Sequence, residues 1–206
     1  MDKQKIVDKI QDRINEMPEG TIFSASDFLD LAESVTIRSV LSRLEKKEVV
    51  FRVISGLYVV PKYSRAINEY SFPTVAEVAD KIADKYSWNI CPTEETALNI
   101  VGLSTQLSNS YVFVTDGAYR EYNYRGKTIV FKRSNNRTIS EYSRELSIVI
   151  QAMKYIGEKN IREEDIERIG AFCKKYVKED LMNDTKKLPV WIHNILSKIE
   201  MENVHE

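Results

Sequence analysis

Between residues 34 and 60 the apolar pattern changes period without a break, and this change limits the fold more than any other feature of the chain. Ile37, Val40, Leu41 and Leu44 recur at the three- and four-residue spacing of a helix with one buried face. Arg38, Ser39, Ser42, Arg43, Lys46 and Lys47 are interleaved with them. Val49 to Ile54 is then dense in β-branched residues, Ser55-Gly56 supplies a two-residue turn, and Leu57 to Val60 is a second extended run closed by Pro61. A helix feeding directly into a hairpin is the result. Upstream, Ile6, Val7, Ile10, Ile14 and Met17 mark an amphipathic helix stopped by Pro18-Glu19-Gly20. Thr21-Ile22-Phe23 is extended, and Ser24 or Ser26 caps a short second helix carrying Phe28, Leu29 and Leu31. The order helix, strand, helix, helix, hairpin predicts a winged helix-turn-helix over residues 1–65, with the hairpin as its wing.

Charge is distributed to match. The 206 residues carry a net charge of only −1, but phosphate contacts are local and an average hides them. Residues 34–65 hold seven Lys/Arg against two Asp/Glu, whereas residues 1–33 hold four against eight. The helix of 34–47 therefore reads as a recognition helix for double-stranded DNA. Ser34, Thr36, Arg38, Ser39 and Ser42 are placed for the groove, and Arg43 for the backbone. Arg52 and Ser55 on the wing extend the surface toward a minor groove, and Lys62 and Arg65 toward phosphates.

Residues 62–73 lack clear periodicity and read as a linker to a second domain over 74–206. Val75, Val78, Ala79, Ile82 and Ala83 make a helix there, Asn89 to Cys91 a short strand, and Thr93 opens a helix ending at Gly102. Tyr111 to Thr115 is a buried strand, and residues 119–125 and 127–133 form a hairpin around Arg125-Gly126. Three groups of apolar residues, beginning at Leu146, Ile161 and Trp191, are helical. The fold class expected is α+β, with a winged helix-turn-helix followed by a small sheet and C-terminal helices. A second basic block (Arg120, Arg125, Lys127, Lys132, Arg133, Arg137 and Arg144) is interleaved with Tyr119, Tyr122, Tyr124 and Tyr142. It reads either as a surface for RNA or a protein partner, or as an ordinary charged hairpin.

The segments MPEGTIF, ESVTIRSVLSRLEKKEVVFRVISGLYVVPK, PTEETALNIVGLSTQ, VFVTDG and KTIVFKR together resemble the AbiEi-type antitoxins of bacterial type IV toxin–antitoxin systems, over residues 1 to about 155. The resemblance implies an N-terminal domain that binds its own promoter and represses its operon. It also implies a C-terminal domain that counters a nucleotidyltransferase toxin encoded alongside. Arg38 and Arg43 match the family's basic positions in the recognition helix, and Arg120, Lys132 and Arg133, within or beside the TDG and FKR motifs, are the candidate antitoxin surface. The alternatives are a stand-alone winged-helix regulator whose second domain senses a ligand or dimerises, and a protein-interaction module without DNA binding.

Enzyme classes find little footing. Asp116 ahead of Val130-Phe131-Lys132 superficially has the spacing of a metal-dependent nuclease, but the second carboxylate would fall at Val130, and Mg²⁺ requires oxygen ligands. Asp116-Gly117 reads instead as a turn, and Gly102 as a helix-ending glycine. There is no phosphate-binding GxxxxGK[ST] loop, His193 and His205 lie near the C-terminus, and Cys91 and Cys173 are far apart and read as buried small residues. A non-enzymatic, cytoplasmic protein without cofactor, metal or membrane span is expected.

Overall fold

A computed structural model describes residues 3–66, 68–106, 108–134 and 141–204. Arg137 and His205 lie outside the described residues. The fold is α+β, and the chain divides into two compact units: residues 1–87 with 122–125, and residues 88–121 with 126–206.

In the first unit, α1 (Lys3–Glu16) buries Ile10 and Ile14 and leads into β1 (Ile22–Ser24). Ser24 then caps a single 3-10 turn, Ala25–Phe28, in which the Asp27 carboxylate accepts from the Ser24 N–H at 2.7 Å. Only this turn stands where a helix extending to Leu31 was expected. Arg13 holds Asp30 through two hydrogen bonds of 2.7 and 2.6 Å, and Leu29 is left exposed. The chain is thus tied back to α1 where a second helical turn would have begun.

Helix α2 (Ser34–Lys46) buries Ile37, Val40, Leu41 and Leu44, as its spacing requires. It is followed by β2 (Phe51–Ile54) and β3 (Leu57–Val59), with Gly56 at φ 79° in the turn between them. β3 pairs antiparallel with both β1 and β2, and as the central strand it is buried at all three residues. Phe23 joins the sheet to the helices, edge-on to Phe28 at 5.7 Å and stacked on Tyr58 at 6.1 Å. Each such side chain, fully buried, contributes about 1.5–3 kcal/mol relative to exposure.

The expected linker is not one. Residues 62–73 contain β4 (Lys62–Ser64) and β5 (Glu69–Ser71), an antiparallel pair. Helix α3 (Val75–Tyr86), opened by a Thr74/Glu77 capping box, belongs to the first unit and not the second. Its apolar face lies against β1, and Lys81 bonds to Asp27 at 3.2 Å. The chain divides after Ser87, where the backbone takes a left-handed conformation.

After Ser87 come β6 (Ile90–Pro92), α4 (Glu94–Val101), β7 (Ser110–Thr115), β8 (Arg120–Tyr124), whose residues 122–124 fall in the first unit, and β9 (Lys127–Arg133). The sheet order is β6-β7-β9-β8, with β7 and β9 parallel. Arg125 and Gly126 both take positive φ, as the two-residue turn between β8 and β9 demands. Helices α5 (Arg144–Ile156), α6 (Glu163–Tyr176), α7 (Leu181–Asp184) and α8 (Val190–Val204) complete the chain. Leu146, Val149, Met153, Ile169, Ile192 and Leu196 join Cys91 and Ala97 in one core. Among the described residues no helix is long and apolar enough to cross a membrane.

Candidate nucleic-acid interface

Because α2 turns about 100° per residue, its four buried positions leave a defined opposite side. Val35, Ser39, Ser42 and Lys46 run along that side, with Arg38 on one flank and Arg43 on the other. Arg38, Ser39, Arg43 and Lys46 are exposed, and Ser42 is half-buried. Thr36 lies toward the core boundary and is also half-buried. Arg38 does not extend freely: its Nε and Nη2 donate to Ser34 Oγ at 3.1 and 2.8 Å, which turns the guanidinium toward the first turn of the helix. Val35, 73% exposed in that turn, is the residue sequence reasoning passed over. An apolar side chain there is suited to contact a thymine methyl.

The β2–β3 hairpin is tied to α2. Arg52 donates to both carboxylate oxygens of Glu45, at 2.8 and 2.5 Å, and its guanidinium lies 5.3 Å from the Tyr58 ring centre. Hydrogen bonding to Glu45 holds the Arg52 pKa above its ordinary value. Arg52 therefore clamps the β2–β3 hairpin to α2 and pairs with the carboxylate on that helix. Another cation stands at the turn: Lys85 of α3 brings its Nζ within 3.1 Å of the point where a Cβ on Gly56 would lie. Ser55 beside it is exposed. Lys62 and Arg65 are exposed too, but on β4 and the following turn, in a different sheet from β2 and β3.

The second basic block is partly spent on structure. Lys132 pairs with Glu94 at 2.6 Å, and the Arg120 guanidinium lies 5.7 Å from the Trp88 ring. Arg133 is exposed at the end of β9. The strand register sets Thr115 beside Arg133 and Val114 beside Lys132, so the VTDG and FKR segments are neighbours.

A family model described as a family of unknown function (DUF6088) matches residues 9–181. The chain belongs to this family. No curated protein matches it.

Asp116 accepts from the Asn89 N–H at 2.9 Å and from its side-chain amide at 2.7 Å, fixing the start of β6 to the end of β7. Among the described residues no three His, Cys, Asp or Glu side chains gather where they would hold a metal. Cys91 and Cys173 are buried, and burial pushes both thiols up to about 12. His193 Nδ1 lies 2.8 Å from Thr185 Oγ1, whose own hydrogen goes to the Leu181 carbonyl, so the imidazole is the donor. Gly102 ends α4 at φ 82°, and Asn99 and Arg168 bond to the Gln106 and Gly102 carbonyls of the following loop.

The Arg52–Glu45 clamp gives a test of sign. Arg52→Ala leaves an unpaired carboxylate beside the basic face of α2, so duplex DNA binding weakens several-fold at low salt. Removing both groups, Glu45→Ala with Arg52→Ala, brings affinity back toward the parent, because the repulsive charge is gone. Were Arg52 itself a DNA contact, the double variant would stay well below the parent even with the carboxylate gone, and an anisotropy titration distinguishes the two outcomes.

Proposed function

We propose that the first unit is a winged helix-turn-helix that seats α2 in the major groove of duplex DNA, with the β2–β3 hairpin as its wing. The observation that carries this reading is the outer side of α2. Short hydroxyl side chains, an exposed valine and flanking cations share it, and the helix's one carboxylate is cancelled by Arg52. Hydroxyls and a methyl surface suit base edges, and the cations suit phosphates on either side. Lys85 adds a cation at the wing turn.

The biological role that best accommodates this surface is autorepression by an antitoxin. Its support is the sequence resemblance to AbiEi-type antitoxins, together with the adjacency of the VTDG and FKR segments on β7 and β9. In this account the chain represses its own promoter and protects the cell from a nucleotidyltransferase encoded next to it, without catalysing a reaction. Arg133 is the leading antitoxin residue, since Lys132 and Arg120 already have partners.

Expressing the full chain beside the neighbouring nucleotidyltransferase tests this role. Growth should be rescued by the parent and lost with Arg133→Glu, while promoter binding stays within about twofold, since Arg133 belongs to the other unit. A neighbourhood lacking such a gene, or rescue untouched by Arg133→Glu with Arg120→Glu, leaves a stand-alone regulator in its place.

A further inference from the structure

Beside the wing, the first unit carries a row of aromatic rings that its packing does not use up. Tyr63 and Tyr70 are cross-strand partners on β4 and β5 and meet edge to face at 5.4 Å. Tyr70 in turn meets Phe51 of β2 edge to face at 4.9 Å, and Phe51 stacks on Phe72 at 5.7 Å. Tyr63 is 46% exposed and Tyr70 49%. In an edge-to-face pair one ring presents only its rim, so its flat faces are not consumed by that contact.

Charge completes the row. The Arg125 guanidinium covers Phe72 at 4.1 Å, and Arg65 is exposed in the β4–β5 turn, at the other end of the hairpin. Strand alternation puts Tyr63 and Tyr70 on one face and Lys62, Ser64, Glu69 and Ser71 on the other. The hairpin's single carboxylate is thereby kept off the aromatic side. Rings flanked by guanidiniums, with no acid among them, suit a ligand that alternates flat apolar groups with phosphates. A duplex hides its base faces within its own stack, whereas an unpaired strand offers them.

We propose that this face of the β4–β5 hairpin is a binding site for single-stranded nucleic acid, its tyrosines stacking on bases while Arg65 and Arg125 meet phosphates. The site uses none of the α2 residues and does not depend on the duplex-binding reading.

The experiment is an anisotropy titration of full-length protein with a fluorescent oligothymidylate of about 15 nucleotides, the upper length of one small single-strand site. The parent binds, and Tyr63→Ala with Tyr70→Ala loses tenfold or more. Tyr63→Phe with Tyr70→Phe retains binding, because stacking needs the ring and not the hydroxyl. Arg65→Gln with Arg125→Gln weakens binding and flattens its salt dependence. A parent that ignores the oligonucleotide overturns the proposal, as does an alanine pair that binds like the parent. If the alanine pair fails to fold by circular dichroism, the arginine pair decides: unchanged affinity and salt slope there also overturn it.

Discussion

Replacing Arg38 and Arg43 together with alanine lowers affinity for the protein's own promoter by roughly 100-fold or more at moderate salt, while the melting temperature hardly moves. The size follows from the two roles. A base-edge contact by Arg38 is worth about 1–3 kcal/mol of discrimination, and a charged hydrogen bond from Arg43 to phosphate about 1.5–3 kcal/mol. Both side chains are exposed and neither is part of the core of α2, so their loss costs within about 0.5 kcal/mol of stability. The single variants differ in kind. Arg38→Ala reduces preference among sequences, whereas Arg43→Ala weakens all duplexes alike. Competition with a scrambled duplex separates them, and equal loss of specificity in both would refute the division.

Gly117→Ala damages the second unit through a contact rather than through backbone freedom. A Cβ on Gly117 would fall 2.2 to 2.3 Å from three atoms of the Trp88 indole, well inside any tolerated distance. Trp88 is itself held, edge-on to Phe131 at 5.8 Å and under Arg120, so it cannot yield without cost. Overpacking of this kind costs about 1–3 kcal/mol or more, which for a protein of this length lowers the melting temperature by about 2–4 °C per kcal/mol. In a Trp191→Phe background the emission of Trp88 should shift as its ring is pushed out. In a Trp88→Ala background the same glycine substitution should cost far less, since the clash has been removed. Equal costs in both backgrounds would show that the indole is not the obstacle.

The parts of this fold legible in the sequence are those in which period and turn chemistry agree over many residues. Helix α2 and its hairpin could be read because Ile37, Val40, Leu41 and Leu44 repeat at helical spacing and Ser55-Gly56 fits a tight turn. Strands β4 and β5 could not, because three residues each are too few to establish alternation, and the left-handed Asn68 in their turn is a weak signal. The short helix after Ser24 forms, as a single 3-10 turn over Ala25–Phe28, but it stops short of the length that Phe28, Leu29 and Leu31 suggest, where Arg13, fourteen or more positions away, bonds to the Asp27 carbonyl and to Asp30. At the candidate interface the exposed face of α2 was foreseen. The clamping of Arg52 by Glu45, the pairing of Lys132 with Glu94 and the approach of Lys85 to Gly56 were not. Each joins residues between 7 and 38 positions apart, and only the folded chain decides which cations stay free.

On the proposed function, α2 and the β2–β3 turn hold duplex DNA through local cations in a chain of net charge near zero. The decisive experiment is a titration of full-length protein with a promoter duplex across a range of salt concentrations. With Arg38 on a base edge and Arg43, Lys46 and Lys85 each neutralising one phosphate, log affinity falls against log salt with a slope of about −2.7, and the Arg38→Ala, Arg43→Ala variant falls with a slope nearer −1.8. Absence of duplex binding at low salt, or a slope that the double substitution leaves unchanged, would show that these cations do not hold DNA.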